Sequence, residues 1–218
     1  MELDNPVEII FTWKGGEDGK GLWKTYDRAT KTADTYKKQF TCVVLEQFNG
    51  VAGFLQPQGS GQAQSNQVKN LAKEELTVSV WKDGESSVLM SGLYADIKDN
   101  LKAKGVKFQK IVYALITSGK YQGMLARFDL QGSASGSWIS SKIKDGEAIS
   151  FDEDGEFKQV GHIKFYAPKI YLVDIKDDDK ELGKRMLDEL AEFRNQFDKQ
   201  SDTSTETKDK EELEEIPF

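Results

Sequence analysis

Short runs dense in β-branched and aromatic residues, separated by glycine-rich and polar turns, recur through the first 176 positions, the pattern of strands. Val7-Glu8-Ile9-Ile10-Phe11-Thr12-Trp13 is dense in β-branched and aromatic residues and predicts a strand, which the glycine-rich run from Lys14 to Gly21 ends as a loop. Phe40 to Phe48 predicts a second strand centred on Val43, Val44 and Leu45. Asn49-Gly50 then reads as a type I′ turn, with Val51 to Leu55 as the returning strand. Residues 56–67 offer almost nothing to a core and predict a mobile loop within 56–70. Leu76 to Trp81 and Ser87 to Leu93 predict a hairpin about Asp83-Gly84. Further strands are expected at Val106 to Ile116, Tyr121 to Leu130, Glu147 to Asp152 and within Phe157 to Val173. The small residues from Gly132 to Ser137, ahead of Trp138, give no clear signal.

Two stretches change period. Leu93, Ile97 and Leu101 recur every four residues and predict a short helix that Gly105 stops. Leu182, Met186, Leu190, Phe193 and Phe197 mark an apolar stripe on a helix at about 178–198, opened by the acidic cluster Asp177-Asp178-Asp179. This stripe is expected to bury against the body or to join two copies as a homodimer. From Ser201 to Lys210 only Ser, Thr, Asp, Glu and Lys occur, a composition that cannot offset the entropy of ordering and predicts disorder. The expected division is a β-rich body at 1–176, an amphipathic helix at 177–199 and an acidic tail at 200–218.

Charge follows the same division. Residues 1–176 carry 23 Lys and Arg against 22 Asp and Glu, a net of +1, while 177–218 carry 7 against 15, a net of −8. A near-neutral body with an acidic tail can meet a polyanion with the body while the tail stays in solvent. No apolar run approaches the roughly 20 residues of a membrane helix. With one cysteine, Cys42, and an acidic start at Met1-Glu2-Leu3-Asp4, the chain is expected to be cytoplasmic and without a membrane partner.

The tail ends Glu214-Glu215-Ile216-Pro217-Phe218. A terminal phenylalanine can enter a small apolar pocket while its carboxylate pairs with a base beside it. Pro217 lowers the entropy lost on docking, and the glutamates favour a basic rim. This ending resembles the acidic tip of the bacterial single-stranded DNA-binding protein family, in which aspartates precede Ile-Pro-Phe; here glutamates stand in their place. The resemblance covers Glu214 to Phe218, and residues 1–176 do not resemble the usual, shorter body. It points to a divergent member of the kind carried by bacteriophages or mobile elements. It implies an elaborated oligonucleotide-binding barrel in a mainly β, α+β chain. It also implies a tip that recruits host or phage replication and repair proteins.

Single-strand binding needs cations for phosphates and flat rings for bases. Two stretches combine them. In the first, Trp23, Tyr26 and Tyr36 lie among Lys24, Arg28 and Lys37. In the second, Tyr121 lies among Lys107, Lys110, Lys120 and Arg127. Trp23-Lys24 and Lys120-Tyr121 are preferred contacts, because the turns before them favour an exposed ring. In a strand Lys107 and Lys110 face opposite ways, so only one can meet DNA. The ordinary reading competes throughout: lysines on a β domain usually form a solvated face and strand aromatics usually form core. Trp13, Trp81 and Trp138 suit a core equally well.

Enzymatic readings are weaker. The one histidine, His162, lies in a predicted strand with no histidine or cysteine partner, and Cys42 sits in an apolar strand as core. Asp152-Glu153-Asp154 reads as a charged turn before Gly155. No metal and no cofactor is expected. The leading expectation is a non-enzymatic protein that coats single-stranded DNA in replication or recombination. The alternatives are an adaptor whose body binds protein and a carboxylate nuclease using Mg²⁺.

Overall fold

The computed structural model describes the backbone of residues 5–16 and 21–211, and side chains as far as 195. Strands β1 (Ile9–Lys14), β2 (Leu22–Asp27) and β3 (Thr32–Tyr36) form an antiparallel meander. β4 (Phe40–Phe54) is the spine of the molecule. It is followed by β5 (Gln62–Ser65), β6 (Leu76–Lys82), β7 (Glu85–Gly92), α1 (Tyr94–Ala103), β8 (Lys107–Ile116) and β9 (Leu125–Leu130). Then come α2 (Ser133–Ser141), β10 (Ala148–Phe151), the hairpin β11 (Glu156–Val160) and β12 (Ile163–Ala167), β13 (Ile170–Val173) and α3 (Asp177–Glu211).

The strands join in one large mixed sheet of order β3-β2-β1-β9-β8-β4-β5-β6-β7, with β1 and β9 parallel. β8 runs beside nearly the whole of one edge of β4. On the other edge β10 pairs with Phe40 to Val43, and β5 with Ala52 to Phe54. The path begins at β3 and finishes at β7 without meeting itself, so the molecule is mainly β with packed helices and the expected barrel is not closed. Among the described residues no helix is long and apolar enough to cross a membrane.

Three buried clusters follow from strand alternation. One face of the sheet carries an aromatic core, in which Phe11 stacks on Phe128 at 4.7 Å and Trp23 meets Phe151 edge-on at 5.0 Å. α2 caps it with Ala134 and Trp138, whose indole N–H donates to Gln47 Oε1 at 2.7 Å. Farther along that face, Val51, Ala63, Val78 and Val80 pack beneath Ile97 and Leu101 of α1. On the opposite face Val43, Leu45, Phe48, Tyr113 and Leu115 lie under α3, which presents Leu182, Met186, Leu187 and Leu190. Gly183 permits the approach, since a Cβ there would stand 3.0 Å from Leu45 Cδ2.

Several expectations change. Asn49-Gly50 makes no turn: Asn49 pairs with Lys110 and Gly50 with Gln109, so β4 runs straight through. Glycine is needed there for closeness, because a Cβ would meet Ser65 Oγ at 3.0 Å. The loop expected at 56–70 contains β5, whose polar sequence is held by ladders to β4 and β6 and by burial of Ala63. β2 and β3 were not expected as strands. Tyr121 lies in a turn and β9 begins only at Leu125, the small residues after Gly132 form α2, and His162 lies in the turn between β11 and β12. The backbone of α3 stays helical to Glu211, beyond the expected onset of disorder at Ser201, and no glycine or proline interrupts it after Gly183. The hairpin at Asp83-Gly84 forms with both residues at positive φ, 51° and 89°, and α1 ends before Gly105. The tip, Glu214 to Phe218, lies outside the described residues.

Candidate nucleic-acid interface

Register places residues from many strands on the face that α3 partly covers. Opposed residues in a ladder point to the same side. Tyr26, Ile10, Arg127, Tyr113 and Glu46 therefore form one row across β2, β1, β9, β8 and β4. Lys24, Thr12, Asp129, Ile111 and Phe48 form the next. Beyond them come Lys107, Ala52, Gln64 and Ser79, then Phe54, Gln62, Trp81 and Ser86.

α3 closes one end of this face. Arg194 pairs with Glu46 and lies over the rings of Phe48 and Tyr113, with centroid distances of 4.6 and 5.7 Å. Lys69 bonds the same carboxylate at 2.7 Å and covers Phe48 from 4.3 Å. Deeper in, the Arg127 Nε–H donates to Asp129 Oδ1 at 2.7 Å. Burial pushes the Asp129 carboxyl above its ordinary range, and Arg127 opposes that shift.

The other end is open. Phe54 is 72% exposed and Trp81 58% exposed. Phe54 lies beside Gln62, and Gln62 beside Trp81, so the two rings flank one glutamine at a Cα separation of about 10 Å, two strand spacings. They border a groove of ≈ 610 Å³ lined also by Gln56, Gln58, Gln62, Lys82 and the acidic Asp83. Lys107 is exposed on the next row, without an ion-pair partner among the described residues, and Lys104 closes α1 at the same margin, its carbonyl accepting the Gln56 N–H at 3.0 Å. Asp83 and Glu85, at the hairpin tip, are the acidic groups nearest in sequence to Trp81.

The structure places the sequence-predicted residues differently. Lys24, Tyr26, Lys37 and Lys107 are exposed, and all but Lys37 belong to the rows of this face. Lys120 is exposed too, but bonds Asp34 at 2.9 Å beside the Tyr121 ring; this contact, first of all, lowers the Asp34 carboxyl and raises the Lys120 ammonium. Arg28 is committed to the carbonyls of Val7 and Asn5, at 2.9 and 3.3 Å, and Arg127 to Asp129. Lys110 lies on the opposite face, half-buried, its ammonium lowered by that burial and its Nζ 3.4 Å from Asn49 Oδ1.

Trp23, Tyr36 and Tyr121 are corrections. Their rings are buried in the aromatic core, where the Tyr121 hydroxyl meets Thr25 Oγ1 at 2.9 Å and the Tyr36 hydroxyl accepts the Lys120 N–H at 3.3 Å. Alternation along β2 turns Trp23 inward with Thr25, and Tyr121 packs against Phe11 and Tyr36. Phe54 and Trp81 were not singled out as contacts. A signal existed for both. Leu76, Val78 and Val80 fill one face of β6, which leaves Trp81 on the face of Thr77 and Ser79, and Val51 and Leu55 leave Phe54 on the face of Ala52. Among the described residues no three His, Cys, Asp or Glu side chains are grouped to hold a metal ion. Comparison with known protein families, curated proteins and solved structures finds no match for this chain.

Proposed function

We propose that this chain binds single-stranded DNA, without catalysis, on the open end of the sheet face, and recruits partner proteins through its C-terminal tip. The row Phe54-Gln62-Trp81 carries this reading. Two large rings are left in solvent on a rigid floor, with an amide between them to meet base edges and Lys107 and Lys82 nearby for phosphates. Stacking platforms beside cations are what a single strand requires. Lys24 and Tyr26 share this face, but on the rows that end at Phe48 and Glu46 under α3, away from the open end.

The architecture implied by the tip resemblance enters this proposal in an open form: an elaborated oligonucleotide-binding sheet whose barrel is unclosed. The protein would work in the cytoplasm, coating strands during replication or recombination, with replication and repair proteins held by Glu214, Glu215, Ile216, Pro217 and Phe218. The support for that second half is the sequence of the tip.

The test is fluorescence anisotropy with a labelled, unstructured 30-nucleotide DNA and its duplex, titrated at two salt concentrations. The expected result is binding of the single strand in preference to the duplex, falling steeply with salt, and no cleavage in Mg²⁺. Equal or absent binding overturns the reading in favour of a protein-binding adaptor; cleavage overturns it in favour of a nuclease. Deletion of residues 216–218 is expected to abolish partner capture and leave DNA affinity intact or slightly raised, since an acidic competitor is weakened.

A further inference from the structure

The side chains of Phe54, Gln62 and Trp81 are exposed, and among the described residues neither ring meets another ring and the amide makes no hydrogen bond. That sets them apart from their kind. Trp13 and Trp23 lie against each other and Trp138 lies against Phe151. The amides of Gln47, Gln67 and Gln131 are bonded, to the Ile143 carbonyl, the Tyr113 hydroxyl and the Ala52 carbonyl. The backbone beneath Gln62 is nevertheless fixed, because β5 is laddered to β4 on one side and to β6 on the other. The groove these residues border is close to neutral, with Lys82 beside Asp83 in its lining, while Lys104 and Lys107 stand exposed at its margin.

Resting on the proposal that this face binds single-stranded DNA, we infer that Gln62 meets the edge of the base held between the two rings and makes the site indifferent to sequence. Lys104 and Lys107 draw the phosphates to the margin. In a nucleotide the glycosidic bond lies on the far side of the base from its Watson–Crick edge. A base stacked between Phe54 and Trp81 with its backbone at the margin therefore turns that edge down toward Gln62, and in a single strand the edge is free. On adenine and cytosine it offers an amino donor beside a ring-nitrogen acceptor. On guanine and thymine it offers a carbonyl acceptor beside an N–H donor. A glutamine amide sets an acceptor oxygen beside a donor nitrogen, and half a turn about its last torsion, which is broad and roughly two-fold, exchanges them. Every base then finds a matching pair of bonds in one orientation or the other. The freedom of the Gln62 amide is what permits this, since an amide held by a protein partner, as that of Gln131 is, keeps one orientation. A lysine or arginine in its place would offer donors alone and a carboxylate acceptors alone, and either would select among bases.

Fluorescence anisotropy of the full chain tests this, with labelled oligo-thymidine of about 30 nucleotides and with the same oligomer carrying guanine, adenine or cytosine at every third position. The wild type should bind all four within about 3-fold of one another. Gln62→Glu keeps the shape and removes the donor. Guanine alone presents two adjacent donors to a carboxylate, its ring N–H and its amino group. This variant should therefore bind the guanine oligomer at least about 5-fold more tightly than the other three, the low end of what one bidentate base contact discriminates. Gln62→Ala should weaken binding to all four alike. Both substitutions are at an exposed position and should leave the circular dichroism spectrum unchanged. A wild type that favours one base beyond that range overturns the inference. So does a Gln62→Glu variant without a preference for guanine, which would show that the amide does not touch the base. A wild type that binds none of the four defeats the DNA-binding reading itself and this inference with it, and the same titration tells the two failures apart.

Discussion

Phe48 and Phe54 lie on the same strand and the same face, six residues apart, and they lead opposite lives. Phe48 is 8% exposed, roofed by α3 and flanked by Arg194 and Lys69; Phe54 is 72% exposed. The strand supplies identical backbone geometry to both. The difference arises because the stripe from Leu182 to Leu190 covers one end of the sheet and no described element covers the other. Burial is therefore decided by a distant helix, and the aromatic side chains left bare are the ones available to a ligand.

The largest effect that sharpens this contrast is at the covered end. Leu190 is 1% exposed beneath the sheet, so Leu190→Ala should cost about 2–5 kcal/mol in chemical denaturation through lost burial and a cavity. Single-strand affinity, measured well below the denaturation midpoint, should barely move. A large loss of affinity at unchanged stability would show α3 to be part of the binding surface and would break the division into two ends.

At the open end the consequences reverse. Phe54→Ala and Trp81→Ala should each leave stability within about 0.5 kcal/mol, as substitutions at exposed positions do. Each should weaken single-strand binding by about 1–3 kcal/mol, the value of one base–ring stack. Lys107→Ala should have a smaller effect, lowering affinity for all sequences alike and reducing the salt slope by about 1. If instead Trp23→Phe alone reduces binding, the aromatic core matters to DNA more than its burial allows. Trp23 makes that comparison a fair one, because its indole N–H has no hydrogen-bond partner among the described residues.

How much of this was legible beforehand depended on which physical rule governed each residue. Period-four recurrence at Leu93, Ile97 and Leu101, the stripe of α3 and the turn at Asp83-Gly84 are local, and the structure carries all three. Trp23 and Tyr26 show the limit. They were grouped as one aromatic patch by nearness in sequence, although an odd spacing of three residues puts them on opposite faces of β2. Lys24 and Tyr26 go outward, Trp23 and Thr25 inward. Alternation says which residues share a face; it does not say which face another element will cover. For the same reason Asn49-Gly50 misled: a turn dipeptide is overridden when a neighbouring strand, β8, pairs with β4 from Cys42 to Ala52.

The smallest effect concerns Asp129, which sits between the two ends in ion pair with Arg127. Burial raises its folded-state pKa, with Arg127 acting against the rise, so the folded protein holds that proton more tightly than the unfolded chain, whose aspartates titrate near about 3.9. The sign follows directly. The stabilisation from the protonated form is fully present below the unfolded value and is lost as pH rises through the folded one. Asp129→Asn removes the titration, so the wild type's stability relative to this variant should decline as pH is raised from about 4 through the folded pKa and then level off. Thermal melts of both proteins over that range measure the difference directly. A relative stability that rises with pH instead would mean that Arg127 dominates the site and holds the carboxylate ionised. The pair would then be a fixed charged strut between the covered and the open ends, and the boundary between them would be set by electrostatics as well as by α3.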